Sequence, residues 1–192
     1  MRIIRAADRT VMPWKNGKGI TTEIAVFPEG ASLSDFDWRI STADVAADGP
    51  FSPFPGVDRT LAFLDGNGMR LSFDDGETVA LDHASPPHGF DGGRPVTGLL
   101  TSGPITDLNA MSRRGRWTHD MVRLDGPGTH RWEAPGGLLV LVAHRGAWSV
   151  TSGDRSESLG AGDSAILDAT ASVKAAATLG GALYVISLRR LS

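Results

Sequence analysis

Asp35-Phe36-Asp37-Trp38-Arg39-Ile40-Ser41-Thr42 alternates residue by residue. Phe36, Trp38 and Ile40 fall on one face of an extended chain, and Asp37, Arg39 and Ser41 on the other. A helix would scatter the three apolar side chains around its axis, so the stretch reads as a strand. It also sets a cation, Arg39, on a polar face that is either the lumen of a barrel or its solvent side. Outward from this strand the grammar is the same. Thr21 to Phe27 is rich in β-branched residues. Thr60 to Leu64 leads through Gly66-Asn67-Gly68 to the alternating Met69-Arg70-Leu71-Ser72-Phe73, and Asp74-Asp75-Gly76 closes a hairpin. No long segment carries a helical stripe. Asp107 to Arg116 is expected to hold one or two helical turns, which would put Asn109 and Arg113 on one face. The alanine-rich stretch Ala169 to Ala177 has helical propensity, but its turn-like neighbours and the plain strand Leu183 to Leu188 favour a strand there.

The second half repeats the order of the first. Leu138 to Val142, Arg145-Gly146, Trp148 to Val150 and Ser152-Gly153-Asp154 reproduce the strand, glycine turn, strand and acidic hairpin seen from Thr60 to Gly76. Glycine (24) and proline (11) are dispersed as single turns rather than gathered in low-complexity tracts, which suits a sandwich or barrel. Two related β modules are expected, residues 1–122 and 123–192. Their joint lies near Arg123 to Gly137, and strands are exchanged between the halves. In the second module, the tight Gly162-Asp163 turn within Leu159 to Leu167 is similar to the turn between strands of cupin barrels. The expected fold is all-β, a bicupin of two cupin-like barrels or sandwiches packed together in one unit.

With 192 residues and 41% hydrophobic content the chain can bury a real core. It has no cysteine, so disulfides, thiolate metal sites and cysteine nucleophiles are excluded. No apolar run approaches the ~18–20 residues that span a bilayer, and the charged start Met1-Arg2-Ile3-Ile4-Arg5 is unlike a secretory signal. A cytoplasmic protein with no membrane partner is expected. The net charge of -3 gives no electrostatic reason for nucleic-acid binding. The basic cluster Arg113-Arg114-Gly115-Arg116 stands without any recognised binding module.

The five histidines, His83, His88, His119, His130 and His144, contain no closely spaced pair of the sort that holds a cupin metal. No metal and no cofactor are expected. Pro13 to Gly19 contains glycines but runs into β-branched residues instead of a Ser/Thr and a helix, which rules out a P-loop. It reads as a loop carrying Trp14 and Asn16, as pocket residues or as a core plug and a turn former. Arg39 would either meet a ligand or pair with Glu23 or Asp44. Arg59, after the proline-rich Pro50 to Val57, would grip a carboxylate or bridge to Asp58 or Asp107. Glu23 with Asp44 would be the carboxylate pair of a cofactor-free isomerase or hydrolase.

Several ordered motifs carry a more specific resemblance. Pro13-Trp14-Lys15-Asn16-Gly17-Lys18-Gly19, Thr21-Thr22-Glu23-Ile24-Ala25 and Phe36 to Ser41 are similar to the HutD/Ves family. So are Ala43-Asp44-Val45, Asp48 to Ser52, Phe54 to Arg59 and Asp107-Leu108-Asn109-Ala110-Met111. The likeness is strong over about residues 1–116 and architectural beyond. Lys18 and Thr22 depart from the family pattern, where glycine and arginine are common, and the second change removes a cation from the implied site. The resemblance implies a bicupin linked to bacterial histidine utilisation that binds a small acidic metabolite such as formylglutamate and moderates the pathway, with no accepted enzymatic activity. The ligand-binding residues expected here are Trp14, Asn16, Thr22, Glu23, Arg39, Asp44, Arg59, Asn109 and Arg113. Cofactor-free isomerase or hydrolase activity in the same barrel is the alternative. A homodimer through exposed sheet edges is also compatible with the sequence.

Overall fold

Alternation and frequent turns yield strands almost throughout, in a computed structural model that describes residues 1–14, 17–133, 136–168 and 172–192. In chain order the strands begin with β1 (Arg2–Ile4), β2 (Thr10–Pro13), β3 (Gly19–Phe27), β4 (Trp38–Val45), β5 (Gly49–Pro50) and β6 (Val57–Asp65). They continue with β7 (Met69–Phe73), β8 (Thr78–Leu81), β9 (His88–Asp91), β10 (Val96–Leu100) and β11 (Ile105–Arg113). The rest are β12 (Trp117–Trp132), β13 (Gly137–Arg145), β14 (Trp148–Ser152), β15 (Arg155–Leu159), β16 (Ser164–Asp168) and β17 (Val173–Arg190). One 3-10 turn, Ala6–Asp8, is the helical content among the described residues. None of it is long or apolar enough to cross a membrane.

The chain separates into two compact units, Thr10–Trp117 and Met1–Arg9 with Thr118–Ser192. Strand β1 belongs with the carboxy-terminal residues because it pairs antiparallel with β16, Ile3 opposite Ala165.

The Thr10–Trp117 unit holds two antiparallel sheets. One runs β2-β3-β4-β11-β6-β9, the other β5-β10-β7-β8. At one end of the larger sheet, Ala43, Val45, Leu61, Phe63 and Ile105 pack against Met69, Leu71, Phe73, Leu81 and Val96 of the smaller one. The other end of that same inner face is polar, and the site lies there. Burial of those ten side chains is the main force holding the two sheets together. The hairpin between β7 and β8 turns through Gly76 at φ +90, a conformation that a side chain would strain.

In the other unit, β1-β16-β13-β17-β14-β15 form one sheet, with β12 also pairing β17. It has an apolar core cluster: Leu139, Leu141, Trp148, Val150, Leu159, Leu167, Leu183 and Val185 pack with small residues, and Trp148 is fully buried. The diagnostic turn sits between β15 and β16. There the Gly160 amide donates to Asp163 Oδ2 at 3.1 Å, and Gly162 takes φ +87.

One expectation is overturned. Residues 107–113 are not helical: they belong to β11, which lies between β4 and β6 at the middle of its sheet. Residues Asp107 to Ser112 are all buried, so both faces are covered, and the polar-apolar alternation from Asp107 to Ala110 reverses at Met111 and Ser112. The alanine-rich stretch is strand from Val173 onward, while Ala169, Thr170 and Ala171 lie outside the described residues.

Candidate functional site

The register of three strands assembles the site in rows. Arg39 of β4 and Arg59 of β6 both stand opposite Met111 of β11. In the next row, Ser41 and Leu61 stand opposite Asn109, with Glu23 of β3 beyond Ser41. One row further, Ala43 and Phe63 flank Asp107, and Thr21 lies beyond Ala43. Residues opposite each other point to the same side of a sheet, as do residues two apart on one strand. The polar face left open by the sequence is therefore the interior. Arg39 is 5% exposed and Arg59 7%.

A buried guanidinium must be paired, and each is held differently. Arg39 Nε donates to Glu23 Oε2 at 2.8 Å, and Arg39 Nη1 reaches Ser41 Oγ at 3.4 Å. Arg59 donates from Nε and Nη2 to Asn109 Oδ1, at 2.8 and 2.5 Å. The Asn109 amide nitrogen in turn donates to Asp107 Oδ1. The asparagine thus stands between cation and carboxylate, its oxygen toward Arg59 and its nitrogen toward Asp107. Arg59 is further flanked by the rings of Phe51, 4.8 Å from the guanidinium carbon, and Phe90, at 5.6 Å.

Burial dominates the electrostatics. Desolvation pushes the Asp107 carboxyl up to about 7, against the opposing pull of Arg59 and the hydrogen bond from Asn109, with Asp44 adding to the rise. Desolvation likewise lowers Arg59 to about 10, with Asp107 working against that change and Arg39 assisting it. Arg59 stays protonated at any physiological pH. Asp107 does not stay fully ionised.

Above these groups is a cavity of about 480 Å³. Arg39, Ser41, Arg59 and Asn109 form its polar floor, and Trp14, Phe51, Phe54, Met12, Leu33 and Met111 supply apolar wall. A few convergent polar groups in a largely apolar hollow are the usual make-up of a small-molecule site. Trp14 is positioned by its indole nitrogen, which donates to Thr21 Oγ1 at 2.8 Å. The set can hold an anionic head on guanidinium groups and cover an apolar body.

Of the residues expected to bind, Trp14, Arg39, Arg59 and Asn109 line this cavity, and Glu23 reaches it as the partner of Arg39. Asn16 lies outside the described residues. Three others are directed elsewhere. Thr22 falls between the inward Thr21 and Glu23 and faces the other side of β3. Asp44 is on the opposite face from Ser41 and Ala43, exposed, and accepts from Thr106 Oγ1 at 2.7 Å. Arg113 donates to the carbonyls of Phe36 and Ser34, at 2.9 and 3.0 Å, and so fastens the chain before β4. Glu23 and Asp44 lie on opposite faces of adjoining strands, so they do not form the carboxylate pair that acid/base chemistry would need. The expected direct partners of Arg59 are also corrected. Asp58 accepts from Arg114, and Asp107 is reached only through Asn109.

Asp107, Ser41, Phe51, Phe54 and Met111 are the contributors that the sequence did not mark as ligand-binding. The signal for Asp107 was the spacing Asp107-x-Asn109-x-Met111, which only a strand places on one face.

The basic cluster is committed locally: Arg114 pairs with Asp58 and Asp91, and Arg116 with Asp37. His83 packs edge-on to Phe63, and His88 lies among Phe73 and Phe90. Among the described residues no group of three or more potential metal ligands comes together.

Comparison with known proteins agrees with this architecture. The chain is 36% identical over 138 residues to Protein Ves of Citrobacter koseri, covering 71% of this chain and 69% of that one. A conserved protein of unknown function from Pseudomonas aeruginosa PAO1 superposes with a TM-score of 0.91 at 31% identity, over 98% of both chains. HutD from Pseudomonas fluorescens SBW25 (formate condition) superposes at 0.85 with 30% identity, over 100% of this chain and 99% of that one. A cupin 2 conserved barrel domain protein from Leptotrichia buccalis, 10% identical with a TM-score of 0.57, is similar in fold alone. The HutD family model matches residues 6–185, nearly the whole chain, and this all-β protein with cupin-like neighbours belongs to the HutD family.

Proposed function

We propose that this protein binds a small carboxylic-acid metabolite, of the formylglutamate kind, without a metal, and that it moderates histidine utilisation in the cytoplasm. The observation carrying this reading is the pair of buried arginines on the floor of a cavity of about 480 Å³. A guanidinium grips a carboxylate with two parallel hydrogen bonds, and a charged hydrogen bond contributes about 1.5–3 kcal/mol. Two such contacts and the apolar contact of Trp14 and Phe54 amount to roughly the 8 kcal/mol of micromolar binding. The fold is read as a bicupin in which the Thr10–Trp117 unit carries the ligand.

Thermal unfolding with formylglutamate, urocanate, glutamate and formate at millimolar concentration tests this reading. Ligand that binds only the folded state raises the midpoint in proportion to the logarithm of its concentration over Kd. At least one of the four acids should raise it in the wild-type protein and fail to do so after Arg59→Met. Four silent acids would remove the reading.

A further inference from the structure

We propose that the cavity accepts one carboxylate group together with one proton, the proton going to Asp107 and the two events being linked through Asn109 and Arg59. This rests on the acid-binding reading above and adds to it the charge state of the ligand head and the regulation of the site by pH.

Arg39 is matched by Glu23 at 2.8 Å. Arg59 is matched by Asp107 across the Asn109 amide, whose oxygen and nitrogen are both committed. With Asp107 ionised, the four groups sum to zero. A ligand carboxylate on Arg59 then leaves one negative charge in excess inside a protein, where an uncompensated ion is costly. Protonating Asp107 restores neutrality. It is the carboxyl best placed to respond, being 1% exposed and joined to the binding cation by a single amide. Its affinity for a proton already lies near neutrality, so a nearby anion need only raise it further.

The direction follows. In the empty protein Asp107 titrates near 7, and in the occupied protein above that. Below both values the proton is present beforehand and binding is pH-independent. Between them binding draws one proton from solvent and weakens as pH rises. Two coupled groups titrate as a unit, so the change belongs to the Asp107–Asn109–Arg59 set.

The surroundings limit other sources. From β6 the group acting on Asp107 is Arg59. From β4, Asp44 acts from the opposite face and Arg39 lies two rows away. From β3 the nearest charge is Glu23, held by Arg39. The smaller sheet presents Met69, Leu71, Phe73, Leu81 and Val96, none of which titrates. His83 stands behind Phe63, and His88 lies opposite Leu61; these are the imidazoles on the neighbouring elements.

Calorimetric titration of formylglutamate, whose own carboxyls remain ionised above about pH 5, separates the readings. Kd should weaken about five- to tenfold from pH 6 to pH 8. Runs at pH 7 in phosphate and in Tris, which differ in ionisation enthalpy, should reveal uptake of roughly half a proton. Asp107→Asn keeps the hydrogen bond to Asn109 and should bind at both pH values with one affinity. Unchanged Kd and zero proton uptake in the wild-type protein would overturn the inference while leaving acid binding intact. A pH slope that persists in Asp107→Asn would assign the proton to a group other than Asp107 and overturn it as well. No binding at either pH would overturn the acid-binding reading itself. The wild-type buffer comparison decides the matter even where the variant does not fold.

Discussion

Arg39 and Arg59 stand on either side of Met111 in one row across three antiparallel strands. At the cross-strand spacing of a sheet their backbones are about 10 Å apart, and both guanidinium groups leave the sheet on the same face. Two buried like charges so close are tolerated because each has an acceptor on an adjoining row, Glu23 for Arg39 and Asn109 for Arg59.

The arginines should not be interchangeable with lysine. Arg59→Lys keeps the charge but loses the fork that holds Asn109 Oδ1 through Nε and Nη2. Acid affinity should fall about 10- to 100-fold, the equivalent of one charged hydrogen bond, as read by calorimetry. An Arg59→Lys protein that binds as tightly as wild type would show that charge alone suffices.

Glu23 is held by Arg39 at 2.8 Å, and on the proposed reading it restrains that arginine. Glu23→Gln removes the counter-charge while preserving shape, so Arg39 becomes freer to meet an anion. Acid affinity should rise by several-fold, with the unfolding midpoint slightly lowered. A loss of affinity would instead make Glu23 a direct ligand contact.

Asp107 makes stability depend on pH in an uncommon sense for a carboxylate. Its folded value, about 7, lies above the ordinary 3.8, so the folded state holds a proton that the unfolded state has already released. Its contribution is therefore intact below about pH 4 and declines as pH rises toward 7. Asp107→Asn mimics the protonated form and should raise the melting temperature at pH 8, with a ceiling of about 4 kcal/mol. Its advantage should vanish by pH 4. Equal melting temperatures at pH 8 would mean that Arg59 fully offsets the desolvation.

Gly98 on β10 lies under the cavity wall. A Cβ there would come within 2.8 Å of the Phe51 ring and 3.3 Å of Met69 Sδ. Gly98→Ala should cost about 1–3 kcal/mol as overpacking. The displaced Phe51 should also loosen the site, because that ring flanks Arg59. Thermal unfolding and acid titration on one sample separate the two effects, and unchanged affinity would show that Phe51 yields away from the cavity.

The all-β class was legible in local sequence. Phe36 to Thr42, Met69 to Phe73 and the turn glycines announce strands and hairpins because period-two patterning and positive φ are properties of a few adjacent residues. Trp14, Glu23, Arg39, Arg59 and Asn109 were legible as chemistry for the same reason, by residue type in an ordered set of motifs.

Which side of each strand faces the interior was not legible there. Thr22 and Asp44 were equal candidates until pairing fixed their side: β3 bears a register shift between Glu23 and Ala25, and alternation alone gives two faces without saying which is buried. The central strand β11 was masked, since its alternation from Asp107 to Ala110 is short and reverses at Met111 and Ser112, and with it the buried Asp107 went unmarked. Sequence alone determined that this chain makes strands and carries two arginines in polar positions. Only the tertiary structure decided that those arginines share a hollow and that one of them is joined through Asn109 to a buried carboxyl, because that depends on the register of β4, β11 and β6, a long-range choice made by the whole sheet.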